Sequence, residues 1–410
     1  MRSNTTEIAR YSLFAAPLAM AALPIYVHIP KYYAELGLPL ASLGLLLLVL
    51  RFADAFVDPF LGRYADQLKT RFMSCAIATI FLGAGMLALL NPQWAPGGLW
   101  VWLALSLIAV YFGFSFATIA HSAWGAELPP QATARATYTA SREAVGLIGV
   151  LFAAALPAMI ATTTGEGLAK FSWIFLFALI IALAALWNLR EAKVTADHDL
   201  PLLGVLHDKR FRGLLAVFAL NGIASAIPAT LLLFFVDDVL RARDWEPQFL
   251  ISYFLAGALA MPFWTWLARR RGKVFAWSIG MIVAIVAFVW AVSFSAGDRM
   301  AFLIVCIATG IALGADLCLP PALLADAIAK EKAQVQTGSY FGIWAFVTKA
   351  NLALAAGVAL PAVSWLGYKV GDPQSNVMAL TFTYTLLPCA LKLCALAVLW
   401  RQRKLLKEDV

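Results

Sequence analysis

Apolar residues dominate this chain in runs of about twenty or more, and polar residues gather in short clusters between them. A helix that crosses a bilayer needs roughly 20 apolar residues. By that measure the pattern predicts spans over 9–34, 39–64, 71–91, 98–126, 133–162 and 168–189, then over 211–241, 247–270, 273–296, 299–329, 335–367 and 376–400. Between the sixth and seventh runs lies a polar stretch from Arg190 to Arg210, holding Glu191, Lys193, Asp197, His198, Asp199, His207 and Asp208. It divides the chain near its middle. The expected architecture is an all-α integral membrane protein of twelve helices: one six-helix bundle over 1–189, a cytoplasmic linker over 190–210, and a second bundle over 211–410. Pro17, Pro24 and Pro30 fall in the first run. Each removes a backbone donor and kinks its helix, either as structure alone or because the helix lines a path for a solute.

Composition agrees with the pattern. Of 410 residues, 62% are hydrophobic and 13% charged, whereas a soluble domain carries about a quarter charged residues. No single water-soluble core buries that much apolar surface. The net charge of +8 does not point to nucleic acid, because the basic residues sit in short runs between spans. With the amino terminus inside, the loops bearing Arg63, Arg71, Arg190, Arg210, Arg269, Arg270, Arg271 and Lys330 are cytoplasmic. Only Lys31, Lys170, Arg241, Arg243, Arg299 and Lys369 fall on the other side, so both termini are expected in the cytoplasm and the chain in the inner membrane. Cys75, Cys306, Cys318, Cys389 and Cys394 all lie in apolar stretches without a CxxC pair, as buried free thiols do. The segment MRSNTTEIARYSLF has no small-residue cleavage site and reads as the lead into the first span.

Ionisable residues within apolar runs carry the chemistry, since a charge in the bilayer core is costly. The densest set is in the second span: Arg51, Asp54 and Asp58. The two acids are one turn apart on one face, and at ~1.5 Å per residue Asp54 lies about 13 Å inside the boundary marked by Arg63. Two such carboxylates in low dielectric share a proton or bind a cation, and a hard cation such as Na⁺ favours oxygen ligands. The competing reading is an Arg51–Asp54 ion pair, with Asp58 capping another helix. Further in the sequence, Arg142 stands beside Glu143, Asp316 lies in the tenth span, and Lys349 interrupts the eleventh. Lys349 has no acid within a turn, so its partner is sought among Asp54, Asp58 and Asp316. Lys392, near the cytoplasmic end of the last span, is expected to snorkel to the interface. His121, Trp124 and Tyr138 are candidates for a polar-aromatic patch on a solute cavity, with packing the alternative for a lone histidine. Neither His121 nor His28 has a second ligand at metal spacing.

The run Asp54-Ala-Phe-Val-Asp58-Pro59-Phe-Leu-Gly62-Arg-Tyr-Ala-Asp66 resembles the second-helix signature of the glycoside–pentoside–hexuronide:cation symporters, the melibiose-permease branch of the major facilitator superfamily. Gly62 to Arg71 also resembles the superfamily's wider motif in that loop, which implies a cytoplasmic latch involving Gly62, Asp66 and Arg71. Arg269, Arg270, Arg271 and Lys273 look like its counterpart in the second half. Asn221 to Val236, Ala325-Asp326, Lys349 and Arg142 resemble positions of the family's helices 7, 10, 11 and 5. The resemblance implies two bundles related by a pseudo-two-fold axis, alternating access, and binding of Na⁺, Li⁺ or H⁺ at Asp54 and Asp58. It further implies a charge-relay or gating role for Lys349, in which Arg142, Arg51 and Asp316 are candidates to share. Asn221 and Trp344 join His121, Trp124 and Tyr138 as expected cavity residues.

One departure bears on the solute. Melibiose permeases use acids in their first and fourth helices to bind galactosyl hydroxyls, and here those places fall near Ala19 and at His121-Ser122. A site without fixed acceptors loses heavily in affinity for hydroxyls, which argues against a galactoside. A less polar, amphiphilic or anionic solute meeting Arg142 and Lys349 is admissible. The leading expectation is a cation-coupled symporter of a small organic solute, monomeric, with the lipid bilayer as its other partner and no cofactor beyond the coupling ion. The alternatives are an uncoupled or exporting carrier with structural acids, and a membrane-embedded enzyme, for which no nucleophile–base pair stands out. No Walker A loop is present for a self-contained ATP-driven pump.

Overall fold

The computed structural model describes residues 5–68, 70–95, 98–129, 132–161, 163–191, 204–330, 336–368 and 376–406, nearly all of them helical. The first expected span is built from three short helices and a π turn: α1 (Thr5–Leu13), α2 (Ala15–Leu23), the turn Pro24–His28, and α3 (Ile29–Glu35). Its prolines explain the breaks. Pro17, Pro24 and Pro30 each fall within the first three residues of a new segment, where a missing N–H removes little.

The remaining spans are longer. α4 (Leu40–Gln67), α5 (Arg71–Leu90), α6 (Leu99–Glu127), α7 (Ala132–Ile160) and α8 (Thr164–Leu186) precede the polar stretch. After it come α9 (Lys209–Phe234), extended by a π turn over Phe235–Val239, then α10 (Glu246–Arg271) and α11 (Lys273–Ala291). The series ends with α12 (Arg299–Lys330), α13 (Thr337–Trp365) and α14 (Val377–Leu406). Side-chain caps start several of them: Thr70 accepts from Met73 N at 3.1 Å and Asp208 from Arg210 N at 2.8 Å. Gly272, at φ 86°, turns the chain from α10 into α11, a backbone conformation that side chains resist.

Among the described residues, nine helices are long and apolar enough to cross a membrane. The outward faces carry large apolar side chains, such as Trp173, Phe177 and Ile180 on α8, a surface suited to lipid rather than water. The linker expected over 190–210 lies outside the described residues from 192 to 203.

The chain forms two compact units, Met1–Val205 with Ile328–Phe346, and Leu206–Ala327 with Val347–Val410. The early turns of α13 therefore pack with the first unit, although the division read from the polar stretch puts all of α13 in the second half. In the first unit α5 lies along α6 and α2 along α7; in the second, α9 and α11 both lie along α14. Membrane helices approach closely where residues are small. A Cβ added to Gly113 on α6 would stand 2.4 Å from Leu82 N and 2.8 Å from Ala78 O on α5. Gly113→Ala is expected to destabilise the protein by about 1–3 kcal/mol through overpacking. Gly357→Ala, whose added Cβ meets nothing within 4 Å, is expected to leave thermal unfolding in nanodiscs unchanged or slightly raised. Equal effects of the two substitutions would contradict this packing.

Candidate functional site

Asp54 and Asp58 sit one turn apart on α4, as their spacing requires. Ser115 Oγ on α6 donates to Asp54 Oδ1 at 2.7 Å. Asp54 is half-buried and Asp58 is 0% exposed. Arg51, a turn earlier, is exposed. Beyond Asp58 the backbone of α13 abuts α4. A Cβ on Gly342 would lie 2.7 Å from the carbonyl oxygen of Asp58, and one on Gly62 would lie 2.2 Å from that of Gly338. Gly62, Gly338 and Gly342 thus form a crossing at which the two backbones touch.

That crossing brings Asp66 to the start of α13. Its carboxylate accepts from Gly338 N at 2.6 Å, Ser339 N at 2.8 Å and Ser339 Oγ at 2.9 Å. The first N–H groups of a helix have no partner within it, and the dipole favours an anion there. Arg71 holds the other side of Asp66 at 2.9 Å and also reaches Glu127 at 2.7 Å and the carbonyl of Ala65 at 2.8 Å. Gly62, Asp66 and Arg71 therefore converge in one buried knot. Glu191 adds to it from outside the spans, its two carboxylate oxygens accepting from Arg71 N and Phe72 N, each at 2.9 Å.

Arg142 is half-buried and donates to Ser122 Oγ at 2.7 Å and to the carboxylate of neighbouring Glu143 at 3.0 Å. The aromatic patch expected on the cavity is packed inside the first unit. His121 packs against Tyr11 with ring centroids 4.2 Å apart and the rings tilted by 31°, and its Nε2 lies 2.9 Å from the Tyr11 carbonyl oxygen. Trp124 has no exposed surface, and its indole donates to the carbonyl of Arg190 at 2.9 Å. Tyr138 donates to Glu7 at 2.6 Å. These three tie α1, α6 and α7 and the start of the polar stretch together through hydrogen bonds to Tyr11, Arg190 and Glu7. Trp344 on α13 is also buried, and Lys349, further along that helix, is half-buried.

The second unit corrects the reading of Lys392. It does not snorkel. α14 continues to Leu406, so at ~1.5 Å per residue Lys392 lies about 21 Å from the helix end, beyond the reach of its side chain. Its ammonium instead donates to Asp316 at 2.9 Å, Asn221 at 2.8 Å and Ser225 at 3.0 Å. Trp277 Nε1 donates to the other oxygen of Asp316 at 2.8 Å. Asp316 and Asn221, singled out separately from the sequence, are thus brought together by a lysine that sequence reasoning set aside.

Residues 11–404 match the family described as MFS/sugar transport protein. The chain belongs to this family. As a member of it, the chain is a multi-pass membrane transporter of the major facilitator fold and not an enzyme. The sodium-dependent lysophosphatidylcholine symporter 1-A of Danio rerio is 28% identical over 171 residues, 40% of this chain and 32% of that one. This chain thus matches about a third of that relative's length. The glucuronide carrier protein homolog of Escherichia coli is 23% identical over 396 residues, 90% of this chain and 86% of that one. The fold is similar to the crystal structure of a bacterial homologue of the iron transporter ferroportin in its outward-facing state. There the TM-score is 0.76 at 15% identity, over 98% of this chain and 100% of that one.

The Lys392–Asp316 pair makes a direct prediction for this family member. Lys392→Met leaves a carboxylate buried without its cation, which costs about 3–5 kcal/mol. The double variant Lys392→Met/Asp316→Leu is expected to recover most of that loss in denaturant or thermal unfolding. A double variant as unstable as the single one would show that the pair is not the source of the effect.

Proposed function

We propose that this protein is a secondary active transporter that couples movement of a small organic solute to a cation, Na⁺ or H⁺, by alternating access. The observation that carries this reading is the Asp54–Asp58 pair, two acids one turn apart on α4, one of them fully buried. Like charges at that spacing in low dielectric are relieved by a shared proton or a bound cation. Carboxylate oxygens on adjacent turns, with the Ser115 hydroxyl bonded to one of those of Asp54, are the donor chemistry that Na⁺ prefers. The sodium dependence in the zebrafish relative's name supports the same assignment. Arg142 and Lys349 contact or gate the solute. The Asp66 knot is the cytoplasmic latch, which forms and breaks during the cycle while both termini remain in the cytoplasm of the inner membrane. The protein works as a monomer.

Proteoliposomes given an inward Na⁺ or H⁺ gradient are expected to accumulate a solute from a screened panel. Asp58→Asn is expected to reduce that accumulation by at least about tenfold, the scale of losing a charge-assisted interaction. Flux that is equal with and without either gradient would reject coupling, and unchanged accumulation in Asp58→Asn would remove this residue from the ion site.

A further inference from the structure

The second unit holds a partly open cavity of about 230 Å³, lined mainly by apolar side chains such as Leu232, Phe249, Phe254 and Phe288, with Asp316 and Lys392 as its charged groups. Its mainly apolar lining suits the apolar body of a small solute such as a compact ring or short branched chain.

The hydrogen bonds of these charged groups decide what the guest must offer. A lysine ammonium has three N–H donors, and those of Lys392 are directed to Asp316, Asn221 and Ser225. An anionic guest would have to break one of these bonds and would face the Asp316 carboxylate. An ionised carboxylate has about four acceptor sites. Among the described residues those of Asp316 receive Trp277 at 2.8 Å, Lys392 at 2.9 Å and Ser225 at a long 3.4 Å. The side chain of Asp316 is 13% exposed where that of Lys392 is 3%, so the cavity presents an acceptor. A cationic guest would place a second positive charge beside Lys392 with only one carboxylate to neutralise both. The donor that fits is an uncharged hydroxyl.

We propose that this cavity binds an uncharged alcohol with a compact apolar body, its hydroxyl donating to Asp316 and its body filling the space between Leu232 and Phe288. This names a solute class for the transporter proposed above and rests on that reading. It also turns away from the anionic solute admitted by Arg142 and Lys349.

Binding is tested without any gradient, on the full chain in nanodiscs, with four probes on one skeleton: cyclohexylmethanol, cyclohexanecarboxylate, cyclohexylmethylamine and methylcyclohexane. Thermal stabilisation and saturation-transfer NMR are expected to rank the alcohol at least about tenfold tighter than the other three. Ala229→Trp places bulk in the cavity from its wall and leaves the Lys392 cluster intact. It is expected to weaken alcohol binding at least about tenfold, with Na⁺-dependent stabilisation unchanged. An acid or amine that binds as tightly as the alcohol, no binding by the alcohol, or full binding in Ala229→Trp would each overturn the proposal. Ion-dependent stabilisation, by Na⁺ or by lowered pH, that persists beside such a result would leave the coupling site standing, whereas its absence from the unsubstituted protein would count against the coupled-transport reading itself.

Discussion

Inside a bilayer there is no water to solvate a charge, so every buried ionisable group must be answered by another part of the chain. Among the described residues the protein meets that constraint with several buried ion pairs, including the Lys273–Asp326 pair and two larger clusters. Lys392 is neutralised by Asp316, and its three donors are directed to three acceptors. Asp66 is held by Arg71 and by the first N–H groups of α13. The Asp54–Asp58 pair places two acids of the same sign on one helix face, with Ser115 donating to Asp54. In the function proposed above, a cation or a proton joins this pair, and its arrival and departure couple an ion gradient to a change of shape.

Close helix contact makes these charge arrangements possible. The crossing at Gly62, Gly338 and Gly342 lets α4 and α13 touch backbone to backbone, which brings Asp66 within hydrogen-bond range of the α13 N-terminus. A side chain at any of the three glycines would push the helices apart and leave the carboxylate without those donors. The same crossing places the α13 backbone directly beside Asp58. Asp58 and Asp66 therefore lie against one neighbouring helix and about two turns apart, which gives the proposed ion site a short mechanical route to the proposed latch.

Much of this was legible in the sequence because the bilayer makes charge conspicuous. Arg51, Asp54 and Asp58 stand out in an apolar run, and Pro17, Pro24 and Pro30 mark where the first span breaks into segments. Residues whose roles depend on distant partners were not legible. Nothing local shows that Asp66 caps a helix starting at Thr337, because the pairing spans 272 residues. Lys392 was misread because its helix runs on to Leu406, past the end suggested by the apolar run. His121 and Trp124 are polar enough to suggest a cavity, yet their nitrogens meet backbone carbonyls contributed by Tyr11 and Arg190, which no spacing along the chain reveals.

The claim on which the account turns is that Asp54 and Asp58 together hold the coupling ion, and ion-dependent stability tests it without knowledge of the solute. Purified protein should unfold at a higher temperature as Na⁺ is titrated in at constant ionic strength, or as pH is lowered if the ion is H⁺. That shift should vanish in both Asp54→Asn and Asp58→Asn. A shift of the same size in either variant, or none in the unsubstituted protein under any of these conditions, would contradict the account.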